Sequence, residues 1–309
     1  PDLRTILLND KPSDDKGCID STLVLPSPGD DGVEQRATLV FATVNVGTLN
    51  YGHGDGQGAS WKVVELLHQI EEKGIHIVGV QESRAKTSRC VEMGSFTRII
   101  VAGEHGQAGV ELWLNGVALG RMFGVDFLND KDLCTWHADK RALAVRCSLG
   151  SVVFDVMVLY APQRGRGQAE IAAWWENIHC IMQKRDANIP LFCLGDFNAS
   201  LGSVNGDECG DHAWDVEDES GALLREFAIN WDLVIPSTFG HVHEGSSATY
   251  VSSLGHQSRI DYILVSKSTQ PGIIRTYVDH DMDMLNGDRD HRPLVLEIGM
   301  QWKHKRSEE

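Results

Sequence analysis

Six apolar runs in this chain are each closed or opened by a short polar signature. Asn45 follows LVFATV, Gln81-Glu82 follows IHIVGV, Tyr160 follows VVFDVMVL, and Asp196-x-Asn198 follows PLFCLG. Asp261 lies at the start of RIDYILV, and Asp290-His291 precedes RPLVLEI. Short runs rich in β-branched and aromatic residues, bounded by turn-formers, read as buried strands. The first four signatures then fall at strand ends and the last two at strand starts. In a sheet of mixed direction, the end of one strand and the start of an antiparallel neighbour lie on the same edge. A fold that buries all six runs is therefore expected to gather the six signatures on one rim.

The same pattern places further strands near 97–102, 109–114, 142–148, 232–235, 247–251 and 272–278, and helices near 60–73, 168–185 and 219–230. Ser60 is the expected N-cap of the first helix and Gly74 its stop, with Val63, Val64, Leu66, Leu67 and Ile70 on its apolar side. The third helix starts at a cap on Asp218 or Ser220 and is expected to bury Leu223, Leu224, Phe227 and Ile229. Residues 97–160 leave little room for helices and read as an antiparallel meander. Twelve strands against three helices are too many for a doubly wound sheet. The expected class is mixed α/β, with two packed mixed β-sheets flanked by helices. Residues 1–36 read as an acidic, flexible leader, 37–301 as one domain and 302–309 as a charged tail.

The 309 residues carry a formal net charge of −16, which opposes a nucleic-acid partner. Its distribution weakens that objection. Residues 1–36 hold eight acids and four bases, and 207–219 hold seven acids and no base, so these segments account for −11 of the total. The loops after the strand ends are basic, with Arg84, Lys86 and Arg89 behind Glu82 and Arg164 and Arg166 behind Tyr160. Seven scattered cysteines read as reduced and buried, as in an intracellular protein. No apolar run is long enough to span a membrane, and no signal peptide is visible. The chain opens on Pro1, which suggests a piece of a longer product.

Cleaving a phosphodiester takes oxygen ligands for a hard cation, a base for water, and donors for the charge of the transition state. Glu82 ends a buried strand and suits a metal. Gly195 allows a tight strand exit, and the two-residue spacing puts Asp196 and Asn198 on one face. Asp290 stands beside His291, and Asp261 suits orientation of that imidazole.

The ordered set Asn45, Gln81-Glu82, Tyr160-Ala161-Pro162, Gly195-Asp196-Phe197-Asn198, Arg259-Ile260-Asp261-Tyr262 and Asp290-His291-Arg292-Pro293 resembles the endonuclease/exonuclease/phosphatase superfamily. Within it the set is most similar to the apurinic/apyrimidinic-type endonuclease domain of non-LTR (LINE-type) retrotransposons. The resemblance spans about residues 38–299 and implies a DNase-I-like four-layer sandwich. It also implies a Mg²⁺-dependent DNA endonuclease, with Mn²⁺ able to substitute, whose nick leaves a 3′-OH to prime reverse transcription. Glu82 and Asp290 would hold the metal, and Asp196 would position or deprotonate the water. Asn45 and Asn198 would serve the phosphate or the metal shell, and Tyr160 would contact the scissile phosphate. His291, oriented by Asp261, would stabilise the phosphoryl oxygen; either Asp196 or His291 would be the base. Arg84, Lys86, Arg164, Arg166 and Arg259 would bind the DNA duplex. The chain would belong to a longer polyprotein with reverse transcriptase, act in the nucleus and have no membrane partner. Gly47 departs from the pattern, since many repair enzymes of this kind carry an acid there. The glycine-rich segment 50–60 also looks long for its place and reads as a mobile loop.

Two rival readings begin from other residues, and two from the same set. Gly54-x-Gly56-x-x-Ala59 fits a dinucleotide-binding pattern, but it starts well beyond the strand end. His241, His243 and His256, or Cys209 with His212, are candidate zinc ligands. A member without catalysis would act as a binding module, though the intact polar set speaks against it. Other superfamily phosphoesterases, such as a deadenylase or an inositol-phosphate or sphingolipid phosphoesterase, share the same core residues.

Overall fold

The computed structural model describes residues 33–49, 60–104, 106–125, 128, 131–202, 206–213, 215–285 and 290–304. The first strand, β1 (Val33–Asn45), leads to α1 (Trp61–Glu72) and β2 (Ile77–Gln81). Then come β3 (Arg89–Met93), β4 (Phe96–Val101), β5 (Val110–Asn115) and α2 (Gly116–Phe123). The second half of the sandwich begins with β6 (Leu133–Asp139), β7 (Ala142–Leu149), β8 (Val152–Tyr160), α3 (Gln168–Met182) and β9 (Leu191–Asp196). The remainder runs through α4 (Glu219–Asn230), β10 (Leu233–Val234), β11 (His243–Glu244), β12 (Tyr250–Val251) and β13 (Gln257–Ser258). It closes with β14 (Asp261–Ser266), β15 (Ile273–Val278) and β16 (Leu294–His304).

Among the described residues these strands form an eight-stranded sheet, ordered β11-β15-β16-β1-β2-β5-β4-β3, a six-stranded sheet, ordered β10-β14-β9-β8-β7-β6, and the two-stranded pair β12-β13. The inner faces meet through Phe41, Phe154 and Phe192, with Phe41 and Phe192 stacked at 4.3 Å between ring centroids. α1 covers the outer face of the larger sheet through Val63, Leu66, Leu67 and Ile70. α3 and α4 cover the outer face of the smaller one through Trp175, Ile178, Leu224 and Phe227. This is the expected four-layer sandwich of two mixed sheets between helices. The backbones come close where β2 faces β9. A Cβ on Gly79 would stand 2.6 Å from the Leu194 Cβ.

Local signals hold where a cap or a period defines them. Ser60 caps α1, Gly74 follows it at φ 65°, and Asp218 caps α4 by accepting from the Gly221 amide. The meander expected over 97–160 is interrupted by α2. Asn115 caps that helix by accepting from Ala118 N, and left-handed Gly124 ends it. The edge strands β3 and β6 were not expected, because half-exposed residues give neither an apolar run nor a clean alternation. Val64 and Ile229 prove exposed, each lying off the buried face of its helix. β1 starts five residues before 38, since its first half pairs with Met300–His304 of β16. No cysteine is bridged among the described residues, and Cys134 and Cys180 are exposed, not buried. No helix of the described residues is long and apolar enough to cross a membrane. Residues 1–32, the glycine-rich segment 50–59 with its dinucleotide-like pattern, and 305–309 lie outside the described residues.

Candidate active site

Strand register brings the signatures to one rim. Asn45 pairs with Gln81 in the parallel β1–β2 ladder, and Tyr160 pairs with Asp196 in the parallel β8–β9 ladder. Asp261 opens β14 antiparallel to β9 and lies opposite Asp196. His291 bridges to Tyr250 just before β16. The rim therefore draws Asn45 and Glu82 from the larger sheet and Tyr160, Asp196 and Asp261 from the smaller.

A continuous set of hydrogen bonds links these side chains. The Tyr160 hydroxyl donates to Glu82 Oε2 at 3.0 Å. Asn45 Nδ2 lies 3.3 Å from the same oxygen and 2.9 Å from Asp196 Oδ2. Asp196 Oδ1 accepts from the Asn198 backbone amide at 3.0 Å. His291 Nε2 stands 3.8 Å from Asp196 Oδ2, and its Nδ1 is held by Asp261 at 2.8 and 3.1 Å. Asp261 is itself fixed through its backbone amide, which donates to Thr249 Oγ1, and the Tyr250 ring packs 4.9 Å from the imidazole.

Burial sets the electrostatics. Asp196, Asp261 and His291 are nearly sealed from solvent. Burial and the neighbouring Asp261 push the Asp196 carboxyl up to about 7, although His291 and the Asn45 amide oppose this. Burial alone would discharge His291, yet Asp261 and Asp196 raise it to about 9. The imidazole thus carries the proton while Asp196 is poised near neutrality. Burial, with Glu82 and Asp196 nearby, keeps the Tyr160 hydroxyl protonated.

Glu82 leaves β2 in a left-handed conformation at φ 55°, and Arg84 follows at φ 54°. Such backbone is costly for residues with side chains and persists where surroundings enforce it. Ser83 N and Arg84 N are held by the carbonyls of Gly109 and Ala108. Arg84 Nη2 lies 2.6 Å from Glu82 Oε1, so a guanidinium already rests on this carboxylate. Glu82 supplies the carboxylate oxygens there, a hard ligand of the kind that fits Mg²⁺, while the Tyr160 hydroxyl and the Asn45 amide nitrogen turn donors toward them. Glu82 would hold such an ion; Asp290, beside His291, is the second carboxylate that the resemblance implies for it. A second convergence of ligand atoms, from Asp196, Asp261 and His291, lies within 4.8 Å. There Nδ1 of His291 is committed to Asp261, an arrangement suited to handling protons.

A cavity of about 410 Å³ adjoins Glu82 and Tyr160. Its walls include Arg84, Lys140, Arg141 and Arg166. Arg141 donates to the carbonyls of Tyr160 and Ala161, and its guanidinium covers the Tyr160 ring at 4.7 Å. The sequence reading missed Lys140 and Arg141 because they sit in a β6–β7 turn that carries no signature. It also missed Thr249 and Tyr250, whose role comes from pairing across the rim.

Three sequence expectations need correction. Arg259 is not available to a substrate: it is 6 % exposed and donates to the carbonyls of Ser237 and His212. Arg164 is committed to Ser200 and Asp218, the cap of α4. Gly195 does not make the strand exit, since it stays in β9, where a Cβ would meet the Leu159 carbonyl at 2.9 Å; the turn comes at Asn198, with φ 48°. Asn198 spends its side-chain amide on Ala161 O. Lys86 and Arg166 are exposed, and no side-chain partner binds either among the described residues. Among the described residues the candidate zinc ligands form no cluster of three, although the His212 and His243 rings pack 5.5 Å apart. His243 is bound to Thr276 and Ser246, while His241 packs on Phe239.

Residues 42–281 match the model of the Endonuclease/Exonuclease/phosphatase family. The chain belongs to that family. Family membership supports phosphodiester hydrolysis of the nuclease kind, and typical members depend on a divalent metal. Among solved structures, the chain is similar to the endonuclease domain of TRAS1, a telomere-specific non-LTR retrotransposon. That likeness has a TM-score of 0.57 and 16 % identity, and covers 85 % of this chain and 98 % of that one. It is similar to the AP endonuclease LMAP from Leishmania major at a TM-score of 0.57 and 15 % identity, covering 87 % and 88 %. Among curated proteins it is 25 % identical over 269 residues to craniofacial development protein 2 of Bos taurus. The match takes in 85 % of this chain but spans only 41 % of that relative's length.

Proposed function

We propose that this domain is a Mg²⁺-dependent DNA endonuclease that nicks one strand and leaves a 3′-OH able to prime reverse transcription of a retrotransposon. The observation that carries the reading is the hydrogen-bonded rim from Tyr160 through Glu82, Asn45 and Asp196 to the His291–Asp261 pair. It contains each part that phosphodiester hydrolysis needs. Asp196, near neutrality and held by the Asn45 amide, accepts the proton of the attacking water. His291 stays cationic on Asp261 and donates from Nε2 to a phosphoryl oxygen. Tyr160 donates to the phosphate or to Glu82. A divalent ion, when bound at Glu82, screens the phosphate and stabilises the leaving oxygen.

The basic cavity beside Glu82 supports an extended polyanion over a small phosphate ester. Arg84, Lys140, Arg141 and Arg166 line it together with Glu82, Glu104 and Glu170; Lys140 pairs with Glu104, and Arg166 has no side-chain partner among the described residues. Three of the seven acids in 207–219, Asp207, Glu217 and Asp218, are paired with Lys267, Arg225 and Arg164, which lessens the opposition of that segment. The likeness to a retrotransposon endonuclease domain favours a place in a longer polyprotein; that this polyprotein carries reverse transcriptase and acts in the nucleus is part of the proposal.

The test is conversion of supercoiled plasmid to nicked circles with Mg²⁺. EDTA should abolish it, and Asp196→Ala and His291→Ala should each lower the rate by about 10²–10⁴. Equal nicking by wild type and either variant overturns the assignment. Abasic duplex, poly(A) RNA and inositol phosphates tested with the same preparation separate DNA from the other substrates.

A further inference from the structure

The turn between β6 and β7 reaches the rim through one side chain. The β7–β8 ladder pairs Ala142 with Leu159, so Arg141 comes alongside Tyr160 at the edge of the smaller sheet. The backbone of Arg141 is fixed on both sides. Its amide donates to Asp139 Oδ1 at 2.8 Å, and its carbonyl accepts from the Tyr160 amide at 2.8 Å. Asp139 is steadied in turn by His137 at 2.9 Å. The carbonyl of Lys140 accepts from Gly109 N at 3.0 Å, on the loop whose carbonyls hold the Ser83 and Arg84 amides behind Glu82.

The Arg141 guanidinium is spent on Tyr160 and its neighbour. Nη1 donates to Tyr160 O at 3.1 Å and to Ala161 O at 3.2 Å. The guanidinium carbon lies 4.7 Å from the centre of the Tyr160 ring, within the range of cation–π attraction. Ala161 O also accepts from Asn198 Nδ2 at 3.0 Å, so the exit of β8 is held from two sides. At the far end of the same ring, the hydroxyl donates to Glu82 Oε2 at 3.0 Å. A phenol has two side-chain torsions, so fixing its backbone and one ring face fixes where its hydroxyl points. The other cations of the cavity wall are spent differently. Arg84 and Lys140 rest on Glu82 and Glu104, whereas Arg141 pairs with no carboxylate among the described residues. A planar fork that donates from its edge and stacks through its face does what an ammonium cannot.

We infer that Arg141 is a positioning residue of the active site: its guanidinium holds the Tyr160 ring and the exit of β8 so that the Tyr160 hydroxyl stays aimed at Glu82 Oε2. This rests on the nuclease reading above, in which Tyr160 serves the phosphate or Glu82. Arg141→Met keeps apolar bulk and removes the donors and the charge. Its kcat for plasmid nicking should fall roughly tenfold with KM little changed, the pattern of a misplaced group. Tyr160→Phe should cost roughly 10²-fold. Arg141→Met added to it should cost nothing further, since both remove the same aimed hydroxyl. The slope of log DNA affinity against log salt should stay at the wild-type value, because Arg141 neutralises no phosphate. Fluorine NMR of protein labelled with fluorotyrosine reads the ring without any nicking. The Tyr160 line, assigned by its loss in Tyr160→Phe, should be single in wild type and broadened or split in Arg141→Met. If Arg141→Met fails to fold, Arg141→Lys, which keeps the charge but has no flat face, gives the same readouts. Losses that multiply in the double variant, or a salt slope lower by about one, overturn the inference alone. So does a Tyr160 line that stays single and sharp. Wild type that nicks nothing overturns the nuclease reading, and the fluorine line then still decides whether Arg141 holds the ring.

Discussion

Asn45 donates to Asp196 across 2.9 Å, a bond between residues 151 positions apart that joins the rims of the two sheets. The same amide nitrogen lies 3.3 Å from Glu82. Asn45 thus couples the proposed metal carboxylate to the proposed base. Its own carbonyl oxygen is anchored by the Gly47 amide. Asn45→Ala should cost about 10²-fold in nicking rate, in line with the loss of an oriented donor in a catalytic site. Because the Asn45 bond holds the Asp196 carboxyl down, its loss should also move the acidic limb of the pH–rate profile upward. A variant that is slower with an unmoved limb would reduce Asn45 to a strut.

The Asp196–His291 pair predicts a bell-shaped profile. Activity should rise as Asp196 ionises near 7 and fall as His291 discharges near 9, the two limbs belonging to the coupled pair. Stability has a definite sign. His291 is raised from 6.5, so its contribution is complete below that value and is lost as pH climbs through about 9. Asp196 is a carboxyl raised from 3.8, so its penalty on the fold builds as pH rises from 3.8 and is complete above about 7. Both groups therefore make the fold less stable toward alkaline pH. The melting temperature should fall more for wild type than for His291→Asn between pH 6 and pH 9.5, and more for wild type than for Asp196→Asn between pH 4.5 and pH 7. Parallel curves would refute the coupling.

Most of the rim was legible in the sequence, because a strand that ends on a polar residue announces its own edge. Asn45, Glu82, Tyr160, Asp196, Asp261 and His291 were all found this way, and register then did the convergence. What stayed hidden depends on pairing across the fold. Arg259 reads as a free cation in a motif, but only the tertiary structure shows the Ser237 and His212 carbonyls that hold it. Lys62 drew no attention in the sequence, since its burial and its hydrogen bond to the Val46 carbonyl, 16 positions back, come only with the packing of α1. α2 was hidden by its place among strands, though Asn115 and Gly124 mark its ends.

The two basic residues after Tyr160 should separate cleanly. Arg166 lines the cavity and carries no side-chain partner among the described residues. Arg166→Ala should weaken DNA binding and lower the slope of log affinity against log salt by about one. Arg164 is tied to Ser200 and Asp218, so Arg164→Ala should leave that slope unchanged. Its cost should be about 1 kcal/mol of stability through a loosened α4 cap, given the exposure of the guanidinium. Titration of a short duplex at several salt concentrations, with a urea melt of each variant, checks both halves.

Arg259 offers a test of the corrected assignment. Its guanidinium holds two backbone carbonyls and lies 5.7 Å from the Tyr262 ring, whose hydroxyl donates to Ala199 O and Arg259 O. Tyr262 sits one residue after Asp261, and Ala199 one residue after Asn198. Arg259→Leu keeps much of the bulk but leaves the Ser237 and His212 carbonyls without their donor, an expected cost of about 2–4 kcal/mol. Urea unfolding should show that loss, while the salt dependence of DNA binding stays at the wild-type slope. If the slope falls by about one and stability holds, Arg259 reaches phosphate after all, and its buried hydrogen bonds do not describe its working state.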